Sequence, residues 1–130
     1  MSFSPIARTL IASREGGRCV RCGTTVLWWP EDDPRRPSIV CAYSIHHRRP
    51  RGMGGASDPA ADHPSNGLLL CGTGTTGCHG WVEAHRAAAH ADGYLVPQGH
   101  DPRSTPVRLP SGARVLLTPD GYLYEGTHTA

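Results

Sequence analysis

The sequence contains no lysine and is poor in several other things that a chain of 130 residues usually carries. All 13 of its basic residues are arginine, the mark of a GC-rich genome and a bias that suits phosphate recognition. There is one phenylalanine, aromatics make up 6%, and hydrophobic residues only 38%. Against them stand 16 glycines and 12 prolines, so loops must form much of the fold around a thin core. Such a chain needs another source of stability, and a structural metal is a common one. No apolar run approaches the roughly 18 residues that span a bilayer, so no membrane helix is expected. Residues 1–14 lack the basic start and apolar stretch of a secretory signal, which predicts a cytoplasmic protein. In a reducing compartment the five cysteines are expected to bind metal or do redox chemistry rather than form disulfides. The formal charge of +2 is too small to announce a nucleic-acid binder, and four thiolates around one Zn²⁺ would cancel it. Any electrostatic case must rest on a local patch.

What is there reads as a single domain over residues 1–130, without repeats or low-complexity tracts. Residues 6–13 form a short apolar-periodic helix that stops at Gly16-Gly17. A compact knuckle follows, Cys19-Val-Arg-Cys22-Gly23, and then a polar, proline-broken loop over residues 30–37. Residues 38–46 have the β-branched and aromatic character of a strand, with Cys41 buried in its middle. Residues 48–65 show no periodicity, and a loop that long in so small a domain is usually functional. Leu68-Leu69-Leu70 suits a second strand. Residues 78–90 read as one helix stopped by Gly93. Short strands are predicted near residues 94–96, 114–118 and 122–124, with turns at Pro110-Ser-Gly112 and Pro119-Asp-Gly121. Trp28 and Trp29 are expected to cover the knuckle or the core. His63, His90, His100 and His128 read as exposed histidines.

The residues that carry chemistry come in a fixed order. His46-His47 ends a strand, Asn66 lies in the long loop, and His79 opens a helix, with Cys19-x2-Cys22 and Cys71-x6-Cys78 around them. Hydrolysis of a phosphodiester needs a water made nucleophilic and a leaving oxygen whose charge is stabilised. A histidine can take the proton near neutral pH, and a divalent metal can neutralise the developing charge. Adjacent histidines on a strand project to different sides, so one can hold metal while the other faces water. The four cysteines suit one tetrahedral Zn²⁺, provided the insert of residues 72–77 loops out, which its three glycines permit. Arg48, Arg49 and Arg51 would bind backbone phosphates without reading sequence.

The stretches Ile45-His46-His47-Arg48-Arg49-Pro50-Arg51-Gly52, Asn66-Gly67-Leu68-Leu69-Leu70-Cys71 and Gly77-Cys78-His79-Gly80-Trp81-Val82 resemble the HNH endonucleases of the ββα-metal (His-Me finger) fold. The likeness is strongest to the short HNH proteins of tailed phages and prophages, and it covers about residues 18–96. It implies an α+β fold: a zinc knuckle, a small ββα-metal core and a C-terminal β-hairpin segment over about residues 97–130. It implies His46 as metal ligand, His47 as general base, and His79 as a second ligand. Many relatives carry a histidine four residues beyond that ligand; here Glu83 stands there, on the same helix face, as a substitute. His85, six residues on, is rotated roughly 240° away and is rejected. Asn66 either fixes the geometry around the base or touches the metal, and both readings stay open. The implied activity is hydrolysis of double-stranded DNA with low sequence specificity, nicking or cutting, in a bacterial host cell. Mg²⁺, Mn²⁺, Ni²⁺ and Zn²⁺ all suit the active-site ligand types, beside a structural Zn²⁺. Relatives encoded beside the phage terminase imply a terminase partner and a role in DNA packaging. The rival readings are a non-catalytic zinc-stabilised module binding DNA or protein, and a restriction or toxin nuclease.

Overall fold

The computed structural model describes residues 3–50 and 59–124, the side chains of residues 59 and 60 excepted, and has mixed α+β architecture. Arg51, Gly52 and His128, each named above, lie outside the described residues. Helix α1 spans Pro5–Arg14. It starts there because Ser4 caps it, accepting a hydrogen bond from the Ala7 amide at 3.1 Å, with Pro5 in the first turn. It stops at Glu15, after which Gly16 and Gly17 take positive φ.

At the centre lies an antiparallel pair, β3 (Tyr43–His47) and β4 (Gly67–Cys71). In its register His46 faces Leu68 and His47 faces Gly67. The continuous run Leu68-Leu69-Leu70 is explained by a sheet covered on both sides. Leu68 and Leu70 belong to one core with Val82, Tyr94, Leu95, Val107 and Val115. Leu69 belongs to the other, with Phe3, Ala7, Ile11 and Val26. Gly67 matters here because α1 passes directly over it: a Cβ would sit 2.3 Å from Ile11 Cδ1 and 3.0 Å from Phe3 Cζ. Glycine lets the helix close down beside His47.

The expected strand over residues 38–46 is two strands. Ser38–Ile39 (β2) pairs with Leu27–Trp28 (β1), while Tyr43–His47 pairs with β4. Cys41 falls in the break between them and is exposed, not buried as its apolar setting suggested. The expected helix over residues 78–90 is also broken. Helix α2 (Gly77–Ala84) and helix α3 (Arg86–Ala91) meet at His85, whose φ of −125° and ψ of 58° interrupt the ladder. The C-terminal part is a three-stranded antiparallel sheet of β5 (Val107–Arg108), β6 (Arg114–Leu117) and β7 (Tyr122–Tyr124). Residues 94–96, expected as a strand, lie outside it, but all three are buried. No helix among the described residues is long and apolar enough to cross a membrane.

Buried arginines tie these parts together. Arg14 pairs with Glu15 at 2.7 Å, both side chains fully buried, and donates to the carbonyls of Pro64, Gly67 and Thr118. Tyr122 closes the group by donating to Glu15.

Candidate metal centres and the adjoining cleft

Helix α2 begins at the junction of two clusters of metal-ligating side chains. One consists of Cys19, Cys22, Cys71 and Cys78, with their sulfurs all within 4.8 Å of one another. The knuckle turns tightly because the Gly23 amide donates to the Cys19 carbonyl at 2.8 Å. The other half is drawn in by residues 72–77. Gly77 has a φ of 60°, and a Cβ there would lie 2.7 Å from the Cys71 carbonyl oxygen. That close return brings the Cys78 amide to 3.4 Å from Cys71 Sγ. The glycine-rich insert therefore loops out and leaves both sulfurs on the same side. A tetrahedron with metal–sulfur bonds of about 2.3 Å has edges of about 3.8 Å, and Cys22 and Cys71 stand 3.8 Å apart. The four cysteines can thus hold a metal ion such as zinc.

Arg21 completes this centre, and nothing in the spacing of the cysteines announced it. Its guanidinium lies 3.6 Å from the centroid of the Trp81 ring and donates to Cys78 Sγ at 3.4 Å. Burial pushes the Cys78 thiol well above its ordinary pKa, and the Arg21 contact opposes that shift. A cation at the sulfur favours the thiolate that a metal needs.

The second cluster is His46, His79 and Glu83, again with ligand atoms within 4.8 Å of one another. His46 comes from the end of β3, His79 and Glu83 from successive turns of α2. His46 Nε2 lies 3.0 Å from the Tyr94 carbonyl. A carbonyl can only accept, so Nε2 carries the proton and Nδ1 keeps the lone pair. Burial, then the neighbouring His79, pull the His46 pKa down to about 4. The ring is neutral at physiological pH, the state a metal ligand requires. His79 Nδ1 is buried without a hydrogen-bond partner, an orphan that coordination would satisfy. Glu83 is exposed and also meets Arg86 at 3.3 Å. Two nitrogens and a carboxylate oxygen fit a divalent ion, and the position beyond them opens into a cleft of about 300 Å³. His85 is not in the cluster; its ring stacks on Trp81.

His47 lines the same cleft. Phe3 stacks on it, ring centroids 4.0 Å apart and planes 10° from parallel. Its buried Nε2 lies 3.6 Å from Asp62 Oδ1. Neither Phe3 nor Asp62 was legible in the sequence: one precedes the first helix, the other sits in the aperiodic loop. Asn66 does not point to the metal cluster. Its Nδ2 donates to the Arg49 and Ala61 carbonyls, both at 2.9 Å, and its Oδ1 accepts from the Arg49 amide at 2.8 Å. It clips together the two ends of the loop that follows His47. His63, expected to be merely exposed, caps the turn carrying Asn66 by accepting from the Ser65 amide at 3.1 Å.

The arginines after the histidine pair require a correction. Arg48 is fully buried, and its guanidinium donates to the carbonyls of Gly93, Ser65, Pro102 and Thr105 at 2.7–2.9 Å. With those donors committed it is not a phosphate ligand. Burial lowers its pKa to about 9, which still leaves it charged at neutral pH. Arg49 is also turned inward, 7% exposed, with Nη1 donating to the His100 carbonyl at 2.9 Å. Among the described residues, the guanidinium that lines the cleft belongs to Arg86. No family model matches the chain, and no curated protein or solved structure is significantly similar to it.

Proposed function

We propose that the protein is a metal-dependent endonuclease of the HNH, ββα-metal type, acting on DNA phosphodiester bonds. The observation that carries the reading is the meeting of His46, His79 and Glu83 in one cleft with His47. A strand pair followed by a helix brings one three-ligand set beside a further imidazole. That division of labour is what hydrolysis demands. His46, His79 and Glu83 would hold the divalent ion, which supplies charge neutralisation at the leaving oxygen. His47 takes the proton from the attacking water, with Phe3 stacked on its face and Asp62 3.6 Å from Nε2. Arg86 binds the substrate phosphate at the cleft, the role expected of Arg48, Arg49 and Arg51. Asn66 acts through the loop it closes and is a positioning residue. The cysteine centre holds Zn²⁺ and fixes the start of α2, hence His79.

Phage encoding and a terminase partner belong to this proposal as corollaries of the family resemblance alone. Plasmid nicking in Mg²⁺ or Mn²⁺ tests the chemistry. Wild type should convert supercoiled to open-circular DNA, and His47→Ala should be slower by about 10²- to 10⁴-fold with divalent-ion affinity retained. His46→Ala should lose metal affinity and recover part of its activity in excess metal. Equal nicking by wild type and His47→Ala, or none by wild type in any of these metals, refutes the reading. In the second case the fold would serve as a zinc-stabilised binding module.

A further inference from the structure

A second cavity, of about 420 Å³, lies on the α1 side of β3 and has no part in the chemistry just described. Its walls carry two guanidinium-bearing side chains, Arg8 from α1 and Arg35 from the loop before β2, and two aromatic ones, Trp29 and Tyr43. Among the described residues no carboxylate lines it, although Glu31, Asp32 and Asp33 belong to the same loop as Arg35. Ile45 lines both this cavity and the histidine cleft. Residues two apart on a strand share a face, so Tyr43, Ile45 and His47 form one row. At about 3.3 Å per residue the row is about 13 Å long.

We propose that this cavity binds an unpaired nucleotide of the DNA strand whose phosphate lies in the cleft. The inference rests on the nuclease reading for that second contact. The chemistry is complementary on both counts: aromatic rings offer stacking surfaces to a base, and guanidiniums attract the flanking phosphates. Stacking of this kind is indifferent to base identity. A base inside a duplex cannot enter such a cavity without leaving its stack. The protein therefore prefers DNA with a flap, a bubble or a single-stranded junction beside the bond it attacks.

Fluorescence anisotropy with the zinc-loaded full-length protein tests this, without added divalent ion so that no cleavage intervenes. The probes are a labelled duplex and the same duplex carrying a short unpaired stretch. The unpaired probe should bind about 10-fold more tightly, in keeping with the stacking of one or two bases. Arg35→Glu, on an exposed loop, should abolish the difference while leaving the melting temperature and the binding of full duplex nearly unchanged. Trp29→Phe should keep the preference and remove most of the tryptophan quenching that the unpaired probe causes. Equal binding of the two probes, or a preference that survives Arg35→Glu, overturns the proposal. Nicking assays read the other hypothesis separately: a preference abolished by Arg35→Glu in a protein that never nicks supports the cavity and sinks the hydrolysis.

Discussion

The two ligand clusters share one helix and differ in almost every other respect. Cys78 and His79 are neighbours at the start of α2, yet they serve opposite ends of the site. The cysteine centre has four identical soft ligands and a cationic side chain packed on one sulfur. It leaves no position open, which is the form of a centre that holds a fold together. The histidine centre has three ligands of mixed type, one of them exposed, and faces a cleft beside a further imidazole. That is the form of a centre that leaves room for a reactant. One metal-capable cluster has the form of an anchor for the helix, and the other takes two of its three residues from that helix.

Removing a ligand from the anchor should produce the largest effect. Cys78→Ser should leave a chain that retains no zinc and does not melt cooperatively, since a structural site supplies on the order of 10 kcal/mol to a small domain. Metal analysis and thermal melts check this; a cooperative melt close to wild type would show that the cysteines are not the anchor. Arg48 sharpens the comparison from the other direction, because its role is also structural despite its place beside the histidines. Arg48→Met should cost about 3–5 kcal/mol by stranding four buried carbonyls, read by urea denaturation. The salt dependence of DNA binding should stay as in wild type; a reduced salt slope would return Arg48 to the phosphate contacts.

Acid should reach the histidine centre next. With its folded pKa near 4 and an unfolded value of about 6.5, His46 binds a proton more readily in the unfolded chain. Its contribution to stability is full above pH 6.5 and is lost as pH falls toward 4, amounting to roughly 3 kcal/mol across that window. Melts of wild type and His46→Gln between pH 7 and 4 should converge as the pH drops, and parallel curves would contradict the assignment. Glu83→Gln should have the smallest effect, about a 10-fold loss of divalent-ion affinity with unchanged zinc content, by analogy with outer ligand changes. Calorimetric titration with Mn²⁺ decides it; unchanged affinity would reduce Glu83 to the partner of Arg86.

Much of this was open to reading along the chain. Residue types whose chemistry is specific, thiols and imidazoles in a fixed order, marked out both clusters before any coordinates. Helix α1, β4 and the later part of the C-terminal sheet followed from capping residues, an apolar run and turn glycines. The breaks were not visible: residues 38–46 look continuous because β-propensity says nothing about which partner each half takes. The break at His85 was equally hidden, since the alanine-rich stretch favours helix throughout. Phe3 and Asp62 were missed because neither belongs to a spacing pattern; they reach His47 from 44 and 15 residues away along the chain.

The sequence alone determined which side chains are able to bind metal, and that the glycine-rich insert allows two distant cysteines to share an ion. Those properties reside in the residues and their local conformational freedom. Only the tertiary structure decided what each charged or polar neighbour does. An arginine next to a histidine pair looks the same in a sequence whether it faces a phosphate or a carbonyl. Burial chose for Arg48, because a desolvated guanidinium is stable only where the surrounding backbone supplies its acceptors. Among the described residues the guanidinium left at the cleft is that of Arg86, at the start of α3.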